Sequence, residues 1–164
     1  MNAEHPTQVP SSGVALSPAE TDRLHTVLGS AGRTLAAADD QPPVEQRLCQ
    51  QLDRAADDLT RRLLRAERAS VRLDTPVRLD VGERAQILGL LEQAATRLEQ
   101  EADRREAQAY LVGPDHFRAQ ANAARAWHAD LAALAARQTQ RDQPQRQANA
   151  ERTPAPEAAR EHAR

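Results

Sequence analysis

Large aromatic side chains are almost absent from this chain. Its 164 residues include one phenylalanine, one tyrosine and one tryptophan, 2% of the sequence, whereas apolar residues of all kinds make up 40%. Any core must therefore be built from leucine, valine and alanine, and the length suits one domain with tails. Because alanine-rich faces bury little area, a second copy of the chain, as in a homodimer, is one way to complete such a core.

Cysteine, targeting segments and long apolar runs are also missing or nearly so. Cys49 is the only cysteine, which excludes an internal disulfide and a cysteine-based metal cluster within one chain. The N-terminal residues do not combine a basic start with an apolar run, and no stretch has the apolar length that a bilayer requires. We therefore predict a cytoplasmic protein in a reducing compartment, with no membrane contact.

Lysine is absent. All 22 basic residues are arginine, against 24 acidic residues and a formal net charge of -2. We interpret the arginines first as the codon bias of a GC-rich bacterial genome, rather than as a specialisation for phosphate. The charge balance argues against a chain that attracts nucleic acid over its whole surface, but it leaves room for a local basic surface.

What the sequence does contain is one helical pattern that occurs twice. The stretch 14–40 aligns with 77–103 without a gap, including the helix start and the apolar stripe. The aligned apolar pairs are Val14 and Val77, Leu16 and Leu79, Leu24 and Ile87, Leu28 and Leu91, Ala31 and Ala94, and Leu35 and Leu98. We interpret the two stretches as copies of one helical unit.

Four amphipathic helices are predicted, at about 17–38, 43–70, 80–111 and 115–138. Ser17 and Glu20 form a capping box at the first start, and Asp80 caps the third helix. The predicted fold is all-α: a four-helix domain at 14–138 made of two consecutive helical hairpins.

The remaining segments carry no helical stripe. Residues 1–13 and the charged, proline- and alanine-containing tail 139–164 are predicted to be disordered. Residues 71–79 alternate apolar and polar side chains around Pro76, which fits an extended connector or a tiny hairpin. We expect a connector.

The second predicted helix has a long apolar stripe. The residues expected to be buried on it are Val44, Leu48, Leu52, Ala55, Leu59, Leu63 and Ala66.

Residue patterns that carry chemistry are hard to find. No histidine follows a glutamate at the spacing of carboxylate-bridged metal sites, and no nucleophile or phosphate-loop motif occurs. His128 lies on the apolar face of the fourth helix and is interpreted as a core or rim residue, in preference to a ligand or base. Cys49 is interpreted as a small packing residue. We predict no catalytic residue, no metal and no cofactor.

The strongest signal outside the expected core is a stripe of arginines along the second helix. It consists of Arg47, Arg54, Arg61, Arg65, Arg68 and Arg72, spaced by three, four or seven residues and therefore on one narrow face. Such a stripe suits an acidic partner or a phosphate backbone. It also suits a solvated surface, or contacts with the acidic later half of the third helix, and we favour these last interpretations.

The sequence therefore leads to a ranked set of functions. The preferred hypothesis is a non-enzymatic interaction or self-assembly module that binds an unidentified protein or a second copy of itself. The alternative is a nucleic-acid-associated accessory or regulatory protein that uses the arginine stripe. An enzyme with an unusual helical site ranks third, because no residue pattern supports it.

Overall fold

The structure is a computed structural model and describes residues 13–38, 43–69, 75–108 and 113–152, with side chains up to residue 144. Its elements are β1 (Val14–Leu16), α1 (Pro18–Ala36), α2 (Pro43–Ala69), β2 (Val77–Leu79), α3 (Val81–Ala107) and α4 (Pro114–Arg152). The four helices make up nearly all of the described chain, which confirms the all-α prediction.

Two helices begin with the predicted capping chemistry. At the start of α1, the Ser17 hydroxyl accepts a hydrogen bond from the Glu20 backbone N–H at 3.3 Å, and the Glu20 carboxylate accepts one from the Ser17 N–H at 2.8 Å. Asp80 and Glu83 make the same reciprocal bonds at the start of α3, at 2.7 and 2.9 Å. Both capping boxes satisfy N–H groups that a helix start otherwise leaves without a partner.

The helices pack mainly in sequential pairs. α1 makes most of its helix contacts with α2, and α3 makes most of its contacts with α4, while α1 also touches α3 and α4. Leu24, Leu28, Leu91, Leu98 and Leu131 are fully buried in one continuous core. Alanine supplies many of the contacts between them, as the shortage of aromatic residues requires.

Two short strands connect the beginnings of the first and third helices. β1 pairs with β2 in antiparallel register, with Val14 opposite Leu79, Ala15 opposite Arg78 and Leu16 opposite Val77. The expectation of a plain connector is wrong for 77–79, because this segment finds its partner far away in the chain rather than next to it. Residues 70–74, which precede it, lie outside the described part of the chain.

Side chains from α2 and α4 close the outer edges of this small ribbon. The Ala15 N–H donates to Gln138 Oε1, and Gln138 Nε2 donates to the Ala15 carbonyl, both at 2.9 Å. On the other edge, Arg62 Nη1 donates to the Arg78 carbonyl at 3.3 Å. The Gln138 amide therefore takes the place of a neighbouring strand, and both edges are held to the helical layer.

Predicted and observed residues differ in three places. Val44 was expected in the core but is 62% exposed, because it lies in the first turn of α2, ahead of the buried stripe. Ala55, Leu63 and Ala66 are half-buried rather than buried. α4 continues through Pro144 to Arg152, past its predicted end near 138, so 139–152 is helical where disorder was predicted.

Gly32 lies where α1 and α2 approach closely. A Cβ atom placed on this buried glycine would lie 2.7 Å from Asp53 Oδ1 and 3.4 Å from Leu52 Cβ. Gly89 in α3 is different, because an added Cβ there meets no atom within 4 Å. A Cβ at the first glycine would therefore touch α2 and displace the Asp53 carboxylate, whereas the second glycine only costs helix stability.

Substitution of these two glycines should change stability in opposite directions. Gly32→Leu should lower the free energy of unfolding by about 1–3 kcal/mol, because the larger side chain overfills the α1–α2 interface. Gly89→Ala should raise it by roughly 0.5–1 kcal/mol, because alanine is the better helix former. Urea titration followed by circular dichroism measures both; a Gly32→Leu variant as stable as the wild type would contradict the close packing.

Removal of the side chain that closes β1 should also destabilise the fold. Gln138→Ala leaves the half-buried Ala15 N–H and carbonyl without their partner, which should cost about 1–2 kcal/mol. Gln140→Ala is the matched control on the same helix, and its exposed side chain makes no hydrogen bond to a described residue. Equal stability of the two variants in urea would show that the ribbon edge does not need closing.

Candidate interaction surface

The helix α2 carries five exposed arginines on one face. Its described members are Arg47, Arg54, Arg61, Arg65 and Arg68, here called the α2 arginine row. The core side of α2 is formed by Leu48, Leu52 and Leu59, so the helical repeat directs the arginines away from the packed interior. Arg72, the sixth predicted member, lies outside the described residues.

The arginine row has almost no internal partners. Arg61 Nη2 lies 4.0 Å from Asp58 Oδ1, the outer limit of an ion pair, and both side chains are well exposed. The other four arginines make no hydrogen bond or ion pair with any described residue. Each guanidinium has five N–H donors, so the row presents unused donor capacity and positive charge to its surroundings.

The acidic later half of α3 pairs with other arginines. Glu101 binds Arg104 and Arg105 within α3, each at 2.8 Å. Glu106 and Asp103 bind Arg118 of α4, and Glu99 binds Arg125 of α4. The expected contact between these carboxylates and the α2 arginines is therefore not observed in the described part of the chain.

The one ion pair between α2 and the middle of α3 has the opposite polarity. Glu45 of α2 faces Arg97 of α3, with 3.7 Å between Oε1 and Nη1. The acid on this interface thus belongs to α2 and the base to α3, and no member of the arginine row takes part in it.

Arg62 lies beside the α2 arginine row, but it binds carboxylates within the fold. It donates from Nε to Asp58 Oδ2 at 2.7 Å and from Nη2 to the Glu83 carboxylate. The hydrogen bond with Glu83 is the main reason that the pKa of Arg62 is raised and the pKa of Glu83 is lowered. Because Glu83 also completes the cap of α3, this arginine fixes α2 to the start of the third helix.

Sequence reasoning missed the role of Arg62. Arg62 lies one turn from Asp58 on the same helix, and that local ion pair is present. Glu83 is 21 residues away, and only the folded arrangement brings it to the same guanidinium. The predicted cap at Asp80 marks the start of α3, but it does not indicate an ion pair between Glu83 and Arg62.

The corner between α3 and α4 uses arginine in a structural role. The Arg105 guanidinium carbon lies 4.6 Å from the centroid of the buried Phe117 ring, a cation–π contact. Burial acts to raise the pKa of Glu101, but the hydrogen bonds from Arg104 and Arg105 outweigh it, so the pKa of this carboxyl is lowered. These arginines are thus engaged within the fold, in contrast to the α2 row.

Residues considered for chemistry occupy ordinary packing positions. Cys49 is buried in the core, and burial, followed by the nearby Asp53 charge, raises the pKa of its thiol. The raised pKa favours the protonated, poorly nucleophilic form. His128 is half-buried on α4. Within the described residues no group of three or more histidine, cysteine or acidic side chains is placed to hold a metal ion.

Two large apolar side chains on α2 are exposed to solvent. Val44 is 62% exposed in the first turn and Leu64 is 46% exposed near the other end, between Arg61, Arg65 and Arg68. The surface around the end of the arginine row is therefore both basic and apolar. Among the described helices, none combines the length and the apolar character needed to cross a bilayer.

Removal of the Glu83 charge should weaken the fold in a pH-dependent way. Glu83→Gln keeps a side-chain oxygen for the cap but loses the charge that faces Arg62, which should cost about 1 kcal/mol near pH 7, since both side chains are about one-third exposed. The folded pKa is lowered, so the carboxylate stabilises the protein above the unfolded pKa of about 4.3. This contribution is lost as the pH falls from that value through the folded pKa.

Urea titrations of both proteins from pH 3 to pH 7 measure the effect. The stability difference between wild type and Glu83→Gln should be largest near neutral pH and should shrink below about pH 4.3. A difference that is constant over the whole range would contradict the ion pair.

Comparison with known proteins offers no family for the chain, since no protein-family model, no curated protein and no solved structure matches it. The unpaired arginines and the contacts around them are therefore the observations from which a function has to be proposed.

Proposed function

We propose that the chain is a non-enzymatic helical interaction module that binds a partner protein through the α2 arginine row. The observation that carries this proposal is the charge left without an internal acceptor: four exposed arginines on one helix face make no polar contact with the described residues. Arginine is well suited to such a surface, because its planar guanidinium binds carboxylates with two parallel hydrogen bonds.

The contrast with the remaining arginines supports the proposal. Arg62, Arg105, Arg118 and Arg125 are each paired with carboxylates inside the fold. The other exposed arginines without side-chain partners among the described residues are divided among α1, β2 and α4 and form no comparable row: Arg23, Arg33, Arg78, Arg137 and Arg141. The α2 face is thus the most extended unpaired basic surface on a single described helix.

Self-association through this face is the less favoured form of the proposal. Two copies that met row to row would bring like charges together, which is unfavourable unless counter-ions or acids intervene. A different protein with an acidic surface meets no such repulsion. A homodimer would have to use another face, or pair the row of one copy with acids of the other.

A nucleic-acid-associated role is the second candidate, and the length of the row favours it. From Arg47 to Arg68 the arginines extend roughly 30 Å along the helix, enough to follow several phosphates. The overall charge of -2 opposes it, because the rest of the molecule would repel the same polyanion. We therefore place it below the protein partner.

We also propose that the two helix pairs arose by duplication of one helical hairpin. The antiparallel strands bring the aligned starts of the two units together, with Ala15 opposite its counterpart Arg78. The backbone of each of these central residues is bound by a side chain from the second helix of the other unit, Gln138 or Arg62. Both contacts are expected if a two-fold axis relates the two units, because each unit then makes the same contact with the other.

A cytoplasmic location is part of the proposal. Its support is the use of cysteine: one thiol, buried in the core, in a chain with no possible internal disulfide. Such usage is typical of a reducing compartment.

Tagged purification from the native host tests the proposed function. The wild type should retain a stoichiometric protein partner after nuclease treatment. A row variant that combines Arg54→Gln, Arg65→Gln and Arg68→Gln should lose this partner. The matched control changes Arg23, Arg137 and Arg141 to glutamine, which removes the same charge from other faces and should retain the partner. Quantitative mass spectrometry gives the ratio of partner to bait.

Two results would contradict the proposal. A partner retained equally by the row variant would show that the arginines do not form the binding surface. Co-purifying material that is nucleic acid, and that disappears with nuclease, would move the second candidate ahead of the first.

A further inference from the structure

The last turns of α2 contain no fully buried side chain. α2 has 27 residues and its neighbour α1 has 19, so α2 is the longer of the two helices. All the buried residues of α2 lie between Leu48 and Leu59, and none from Thr60 to Ala69 is buried. This end of the helix therefore has one side without a packing partner.

The exposed end of α2 combines apolar and basic side chains in one patch. Leu64 is 46% exposed, and Arg61, Arg65 and Arg68 lie three residues before it and one and four residues after it, all exposed. Arg61 and Arg68 lie one turn to either side of Leu64, and Arg65 lies one turn from both arginines along the row. These four residues are here called the end patch, and the exposed Glu67 borders it. An apolar side chain with an arginine one turn before it and one turn after it differs from a surface that binds phosphates alone.

We infer that the end patch binds an acidic amphipathic helix of the partner protein, with an apolar side chain of that helix packed on Leu64. This inference rests on the proposed function and specifies the chemistry of its partner. Carboxylates one turn on either side of the apolar residue would meet the guanidinium groups, which gives charge complementarity around an apolar centre.

A helical partner fits the spacing of the patch. Arg61, Arg65 and Arg68 rise along α2 in steps of about 6 Å and 4.5 Å, the same steps that separate residues four and three apart on any α-helix. A second helix lying along α2 can therefore present aspartate or glutamate at matching intervals. A phosphate backbone would pair with the arginines but would leave Leu64 without an apolar contact.

Designed peptides of defined composition test the inference on the full chain. The probe is a fluorescent alanine- and glutamine-based helical peptide with one central leucine and glutamates three and four residues to either side. The second peptide replaces every glutamate with glutamine, and the third probe is a 20-base-pair DNA duplex. Fluorescence anisotropy at low and at physiological salt measures binding.

The glutamate peptide should bind saturably and more tightly than the glutamine peptide, with an affinity that falls as salt rises. Changing Arg61, Arg65 and Arg68 together to glutamine should weaken it roughly tenfold, as expected for the loss of three exposed ion pairs. Leu64→Gln should weaken it about fivefold through lost apolar burial. Val44→Gln, which changes the other exposed apolar residue of α2, should leave it unchanged, as should the Arg23, Arg137 and Arg141 control.

Three results would overturn the inference. The first is no saturable binding of the glutamate peptide. The second is binding that Leu64→Gln does not weaken. The third is duplex binding that is tighter than peptide binding and depends on the arginines but not on Leu64, which would assign the patch to nucleic acid.

The purification experiment separates this inference from the proposed function. If Leu64→Gln still retains the native partner while the arginine-row variant loses it, the acidic-helix inference fails and the interaction module stands. If the arginine-row variant also retains the partner, both fail.

Discussion

The pairing of Val14–Leu16 with Val77–Leu79 is the contact on which the arrangement of the helices depends. A ribbon of three residues on each strand is too small to be stable by itself. Here Val14, Leu16, Val77 and Leu79 are all buried, and Gln138 and Arg62 bind the outward-facing backbone. Because α1 and α3 start directly after the strands, the ribbon fixes where both helices begin relative to each other.

The core of the four helices is built mainly from small and medium-sized side chains. With almost no aromatic residues, α1 and α2 approach closely at the buried Gly32, and alanines lie between the leucines elsewhere in the core. In such a core almost all of the apolar surface is buried against other side chains. The apolar residues that are exposed on α2, Val44 and Leu64, lie on either side of its buried segment, which runs from Leu48 to Leu59.

Local patterns were enough to predict the helices, their caps and most of the core. The capping boxes at Ser17 and Asp80 are contained within four residues each, so the sequence alone specifies them. The strand at 77–79 could not be predicted, because its partner lies more than sixty residues earlier and Pro76 argued for a connector. Val44 followed the apolar period of α2 but precedes the region that meets α1, so it is exposed.

The arginine row was predicted as a face turned away from the leucines, and its members in α2 are exposed. What could not be predicted was which arginines have internal partners. Arg62 differs from Arg61 by one position, yet it binds Glu83 across the fold, whereas among the described residues Arg61 has only a distant contact with Asp58. That distinction depends on the tertiary arrangement, and it separates a structural ion pair from a surface that remains open for binding.

Hydrogen–deuterium exchange on α2 would test most directly whether the arginine row is a binding surface. The amides of 60–69 lie in helical turns without buried side chains, and they should exchange quickly in the isolated protein. Addition of the partner that survives nuclease treatment should slow exchange there and along the row more than anywhere on α4. Protection confined to α3 or α4, with α2 unchanged, would contradict the account.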